Sequence, residues 1–182
     1  MTLIKSISGI RGTIGGLAGD GFTPIDAVLY SSAFGQWVRN KTRKSSPVIV
    51  IGRDARISGE MISSLVSNSL IGMGINVIDL GLSTTPTVEF CVTHVNADAG
   101  IILTASHNPK QWNALKLLNS KGEFISASEG ADVLNIASEN KIEFAEVNSL
   151  GKYEKLENFI DVHIESILNL AYIQKDLIAK LR

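Results

Sequence analysis

The sequence predicts a three-layer α/β/α domain built on a mixed, mostly parallel β-sheet. Short runs at 47–51, 75–80 and 99–104 have strand length, and the first is continuously apolar, as suits a strand covered on both faces. Amphipathic stretches alternate with them, and a β-α-β-α-β order implies parallel neighbours with helices on both faces. Residues 113–118 alternate, and Lys121-Gly122 supplies a turn into 123–125, a hairpin pattern that makes the sheet mixed.

Each element has a local reason. Thr23-Pro24-Ile25-Asp26 is a helix start: Thr as cap, Pro in the first turn, an acid three residues after the cap. Ala27, Tyr30, Phe34, Trp37 and Val38 then recur at helical spacing. A second helix is predicted from near Ser58, with Glu60 in its first turn and Ile62, Leu65, Val66 and Met73 on one face. Gly72 and Gly74 bracket its end. Ser126-Ala-Ser-Glu129 is a capping box that opens another helix. Residues 146–155 lack periodicity and read as a linker. Ile160, Ile164, Ile167, Leu168 and Ala171 form a helical stripe, and Leu177, Ile178 and Leu181 continue the pattern. The predicted organisation is a domain over 1–150 and a helical lead-in to a second domain over 151–182, cut before the partner of its apolar helices.

Composition narrows the function classes. Seventeen basic and eighteen acidic residues give a net charge of −1, with no basic stripe for nucleic acid or a membrane surface. The cluster Arg39-Asn-Lys-Thr-Arg-Lys44 falls at a predicted helix C-terminus, where cations complement the dipole. Cys91 is the single cysteine, which excludes an internal disulfide or a cysteine-based zinc site and suits a core position. There is no signal-peptide pattern and no window of eighteen apolar residues, so a cytoplasmic protein is expected.

Four segments carry candidate chemistry. Residues 104–109 read Thr-Ala-Ser-His-Asn-Pro directly after a predicted buried strand, which presents Ser106 at the strand's mouth. Ser106 and His107 are not a dyad, because adjacent side chains on an extended chain diverge. The hydrolase elbow Gly-x-Ser-x-Gly is also missing. A serine without a base suits a phosphoryl relay, with electrostatics performing the catalysis. Ser8-Gly9-Ile10-Arg11-Gly12, followed by Gly15-Gly16, offers glycine N–H groups and an arginine fork to an anion. Gly52-Arg-Asp-Ala-Arg-Ile-Ser-Gly59 is a strand-to-helix loop that fits neither the Walker nor the Rossmann spacing. For Arg53, Asp54 and Arg56 the expected role is structural, pairing with one another and buttressing neighbouring loops. Lys116 lies inside an otherwise apolar strand, where it needs water or an anion. His94 and His163 read as structural histidines.

In order and spacing, these four segments resemble the first domain of the α-D-phosphohexomutases, the phosphoglucomutase, phosphomannomutase and phosphoglucosamine mutase family. The resemblance spans residues 4 to about 126. Ser8-Gly-Ile-Arg-Gly12 is similar to the family's N-terminal phosphate-contact loop, residues 104–109 to its phosphoserine loop, and Asn113-Ala-Leu-Lys116 to its Asn-Gly-(Ile/Phe)-Lys segment, with Ala114 replacing Gly. The resemblance implies that Ser106 carries the phosphoryl group exchanged with a phosphorylated hexose through a sugar bisphosphate. It also implies that Arg11 and Lys116 contact that group, Lys116 being a candidate for proton transfer, and that His107 supports it. Mg²⁺ is the implied cofactor, with Ser106 contributing a ligand through its phosphoryl group. The family's Asp-x-Asp-x-Asp-Arg metal loop is not in these residues, so this chain alone is expected to be inactive. The rivals are a non-catalytic phosphate- or sugar-phosphate-binding module and a serine hydrolase. The hydrolase needs an Asp/His pair beside Ser106.

Overall fold

The computed structural model describes residues 1–6, 9–139 and 141–180; Ser8 and Leu181, both singled out above, lie outside them. The chain runs β1 (Ile4–Ser6), β2 (Gly9–Thr13), α1 (Pro24–Thr42), β3 (Val48–Arg53), α2 (Gly59–Gly72), β4 (Asn76–Leu82) and α3 (Thr85–His94). It continues through β5 (Ala99–Leu103), β6 (Trp112–Leu118), α4 (Ala127–Glu139), a 3₁₀ turn (Val147–Ser149), β7 (Tyr153–Lys155), α5 (Phe159–Leu168) and α6 (Lys175–Ile178). All seven strands form one mixed sheet, in the order β1-β2-β6-β5-β3-β4-β7. Strands β5, β3, β4 and β7 are parallel, whereas β6, β2 and β1 add on as antiparallel neighbours.

Helices cover both faces. On one side Phe34 and Trp37 of α1, Ile62, Val66 and Leu70 of α2, and Val133 of α4 close over Ile49, Ile51, Ile101, Leu103 and Leu115. On the other, Val88, Cys91 and Val92 of α3 and Phe159 of α5 cover Val50, Ile102 and Leu118. The strand period of two divides these sets: neighbours along β3 and β5 enter opposite cores. Cys91 is a core residue, and burial pushes its thiol up to about 12.

The predicted caps are present. Thr23 caps α1, accepting from the Asp26 N–H while the Asp26 carboxylate accepts from the Thr23 N–H at 3.0 Å. Ser126 and Glu129 exchange the same pair of bonds ahead of α4. The basic cluster at the end of α1 has internal partners. Arg39 donates to the Glu143 carbonyl at 2.9 Å, Lys41 pairs with Glu129, and Lys44 meets Asp98 at 2.7 Å. His94 and His163 pack with Phe90 and Phe159 where α3 meets α5, and His163 Nδ1 lies 3.0 Å from the Thr87 hydroxyl.

Several elements depart from the sequence expectation. Helix α3 is the helix that the β-α-β-α-β order requires between the second and third strands, but no residues were assigned to it, although Thr84 caps it and Pro86 sits in its first turn, the same signature that announces α1. Residues 9–13 form strand β2 in place of the expected loop. Its glycines allow close packing: a Cβ on Gly9 would lie 2.0 Å from the Leu115 carbonyl oxygen, and one on Gly12 would lie 2.9 Å from the Phe22 nitrogen. The predicted 113–125 hairpin shrinks to one bridge, Leu118 to Phe124, beyond β6. Residues 146–155, read as a linker, carry the 3₁₀ turn and edge strand β7. The stripe on α5 exists, but Ile160, Ile164, Ile167 and Leu168 are 37–47% exposed. No helix among the described residues is long and apolar enough to cross a membrane.

Strand β7 is pinned by its Tyr153 hydroxyl, which donates to Asp79 Oδ2 at 2.8 Å. Partial burial, then the hydrogen bond and the charge of Asp79, push the phenol from 10.0 up to about 12. A raised folded-state pKa means that the unfolded chain ionises first. The contribution is therefore complete below pH 10 and is lost as pH rises toward 12. Urea unfolding of the wild type and Tyr153→Phe should show a stability difference that is constant below pH 10 and shrinks above it. A difference unchanged to pH 12 would contradict this.

Candidate active site

Sheet topology decides which loops come together. From β3 the chain crosses through α2 on one face to reach β4, then returns through α3 on the other face to reach β5 on the far side of β3. Strands β3 and β5 are parallel neighbours, so the loops that follow them lie side by side at the carboxyl edge of the sheet, the usual ligand position in an open α/β sheet. These are the 54–58 and 104–111 loops.

The two loops are tied together. Asp54 Oδ2 accepts from Arg56 Nε at 3.0 Å and from the Thr104 hydroxyl at 2.6 Å, while Oδ1 accepts from the Arg56 N–H at 3.0 Å. Thr104 Oγ1 in turn accepts from the Ser106 N–H at 3.0 Å. The Arg56 guanidinium donates to the carbonyls of Ser106, Asn108, Pro109 and Trp112 at 2.7 to 3.0 Å. Asp54 and Arg56 thus pair and buttress a neighbouring loop. Arg53 donates to the Asp54 carbonyl at 3.4 Å and also lines a cavity of about 500 Å³ with Ser63, Ser67, Asp79 and Tyr153.

Within that frame Ser106 has φ of 54°, in the left-handed region that non-glycine residues enter rarely. Such a conformation costs on the order of 1–3 kcal/mol and persists where its surroundings hold it. Ser106 and His107 are both exposed. The Ser106 hydroxyl has no hydrogen bond to any carboxylate or imidazole among the described residues, so the dyad a serine hydrolase needs is not formed.

Arg11 and Lys116 reach the same sheet edge through strand register. Leu103, the last residue of β5, pairs with Leu115, so Ala114 stands one residue beyond the end of β5 and Lys116 one residue inside it. Arg11 on β2 is opposite Ala114. Ile10, Leu115 and Leu117 enter the core under α1, so Arg11, Ala114 and Lys116 take the other face, the side of α3. Arg11 Nε is buried with no hydrogen-bond partner among the described residues. A buried guanidinium N–H left unmatched marks a place for an acceptor, and the fork suits phosphate oxygens. Lys116 lies with its ammonium 5.7 Å from the Phe124 ring centre. On α3, Glu89 has its carboxyl raised by burial, with Lys116 opposing the shift. Glu89 was not legible as part of the site, because no residues were assigned to the helix between β4 and β5 that brings it to Lys116.

The described residues contain no group of three or more His, Cys, Asp or Glu that could hold a metal ion. Asp54, the acid nearest the serine loop in this network, already has both oxygens engaged. These residues do not by themselves fit a resident Mg²⁺.

Residues 3–143 match the family described as phosphoglucomutase/phosphomannomutase, alpha/beta/alpha domain I. A phosphoglucomutase/phosphomannomutase from Thermococcus kodakarensis is 36% identical over 160 residues, which cover 87% of this chain and 35% of that protein. A phosphoglucosamine mutase from Acetivibrio thermocellus is 34% identical over 135 residues, covering 73% of this chain and 30% of the other. The X-ray structure of a phosphoglucomutase/phosphomannomutase family protein from Burkholderia thailandensis superposes with a TM-score of 0.75 at 24% identity, over 93% of this chain and 36% of that one, a likeness of fold. The chain spans about a third of the length of these relatives. Its doubly covered mixed sheet and its match over 3–143 place it in the phosphoglucomutase/phosphomannomutase family, as a chain that contains the family's α/β/α domain I.

Proposed function

We propose that this chain is the N-terminal part of a cytoplasmic phosphohexomutase that interconverts hexose 1-phosphates and 6-phosphates through a phosphoserine at Ser106. The observation that carries the reading is an exposed serine, its hydroxyl free among the described residues, on the loop that follows β5 at the carboxyl edge of the sheet. Arg11, with an unmatched buried N–H, and Lys116 stand on strands that reach the same edge. In the forward half-reaction the Oγ–P bond of phosphorylated Ser106 breaks. A bond then forms from phosphorus to the free hydroxyl of a hexose monophosphate, whose proton leaves, with Lys116 the candidate to handle it. The sugar bisphosphate turns around, and its other phosphoryl group returns to Ser106 Oγ. Arg11 and Lys116 neutralise the charge on the transferring group, which is where most of the catalysis of phosphoryl transfer lies. His107 supports the loop beside it. Mg²⁺, when bound, would supply further neutralisation; the phosphoryl group on Ser106 would be this chain's one ligand to it, and the other ligands would have to come from outside these residues.

The test uses two samples, the full-length gene product and the isolated chain 1–182. Each is mixed with glucose, mannose or glucosamine 1-phosphate, a trace of the matching 1,6-bisphosphate and Mg²⁺, and the 6-phosphate is followed. Turnover is expected from the full-length protein and none from the isolated chain. Turnover by the chain alone at about 1 s⁻¹ or faster, an ordinary enzyme rate, would show that no outside group is needed. A full-length protein that binds bisphosphate without turning over any of the three would identify a binding module.

A further inference from the structure

Arg56 has five N–H donors, and all five are used on protein acceptors: one on Asp54 and four on carbonyls of the serine loop. Its side chain is 10% exposed. It therefore has no donor left for a substrate phosphate, unlike Arg11, whose Nε is unmatched. The carbonyls it gathers belong to residues 106, 108, 109 and 112, so one guanidinium spans the whole connection from β5 to β6. Peptide planarity adds a consequence. In a trans peptide the N–H points opposite to the C=O, so turning the Ser106 and Pro109 carbonyls toward Arg56 turns the N–H groups of His107 and Lys110 away from it. Neither of those N–H groups has a hydrogen-bond partner among the described residues.

We propose that Arg56 is the positioning residue of the phosphoryl-carrying loop. It holds Ser106 in its left-handed conformation with the hydroxyl free, and it leaves the His107 backbone N–H open to the charge on the Ser106 phosphoryl group. Asp54 orients the guanidinium, and Thr104, held by the same carboxylate, fixes the Ser106 N–H. This inference rests on the reading of Ser106 as the phosphoryl carrier. It also gives position 107 a role that its backbone performs, whatever its side chain does.

Lysine cannot replace Arg56 here, because three donors on one nitrogen do not span four separated carbonyls. In the full-length mutase, Arg56→Lys should lower kcat by about 10²-fold, the scale of a small misplacement of reacting groups. KM for the hexose 1-phosphate should stay within about threefold, since no substrate contact is lost, and thermal unfolding should report a folded protein. Thr104→Val removes the hydroxyl that holds the Ser106 N–H and should lower kcat in the same direction. Should Arg56→Lys fail to fold, Thr104→Val decides alone. His107→Ala, which keeps the N–H, should retain more kcat than either. Folded Arg56→Lys or Thr104→Val with wild-type kcat overturns the proposal, as does a loss confined to KM. If Ser106→Ala is inactive while these variants are not, the positioning role alone has failed. If Ser106→Ala is fully active, the phosphoserine reading itself has failed.

Discussion

Ser106→Ala is expected to lower mutase turnover of the full-length protein by at least about 10⁴-fold, the scale on which removing the group that forms the covalent intermediate acts. The effect should fall on chemistry and leave the fold intact. Ser106 is exposed, its hydroxyl supports no neighbour among the described residues, and alanine meets the same left-handed backbone as another non-glycine residue, so stability should change by no more than about 1 kcal/mol. Its backbone bonds, to Thr104 Oγ1 and from Arg56, do not depend on the side chain. No second hydroxyl in the 104–111 loop replaces it, because Thr104 is buried and already engaged with Asp54. The check is kcat for the hexose 1-phosphate beside a thermal melt of the same sample.

Lys116→Ala should cost less, on the order of 10²–10⁴ in kcat, as for one electrostatic or proton-transfer group. Lys116 is half-buried on β6 and forms no ion pair among the described residues, so the loss does not come from a salt bridge broken there. A second readout separates this from general damage. Lys116 pulls the Glu89 carboxyl down against the upward push of burial. Removing the cation should therefore raise the Glu89 pKa further, which NMR titration of the isolated domain would follow. An unchanged Glu89 titration would show that the two groups do not sense each other across the face of α3.

What was legible in the sequence and what was not divides along the range of the interactions. Helix α1 is local: Thr23, Pro24 and Asp26 announce its start, and the apolar spacing from Ala27 to Val38 gives its buried face. Helix α3 carried a similar local signal in Thr84 and Pro86. Its ten residues have too short an apolar pattern to stand out beside the strands that flank it. Strand β2 has two glycines in five residues and no alternation; it is a strand because β6 pairs with it from a hundred residues away. Strand β7 is three exposed residues at the sheet edge, where burial leaves no pattern to read. The site shows the same split. Ser106 and Lys116 stand out by type and place, and the Asp54–Arg56 pair follows from adjacency. The four carbonyls that Arg56 gathers lie 50 to 56 residues away, and no side-chain pattern encodes a backbone acceptor.

The claim on which the rest depends is that Ser106 carries a phosphoryl group during turnover. The direct measurement is phosphopeptide mapping of the full-length protein by mass spectrometry, before and after incubation with hexose 1,6-bisphosphate. Phosphate is expected on Ser106, increasing with bisphosphate and discharged by excess hexose monophosphate. Full mutase activity with Ser106 unmodified throughout, or with the exchanging phosphate on another residue, would contradict it.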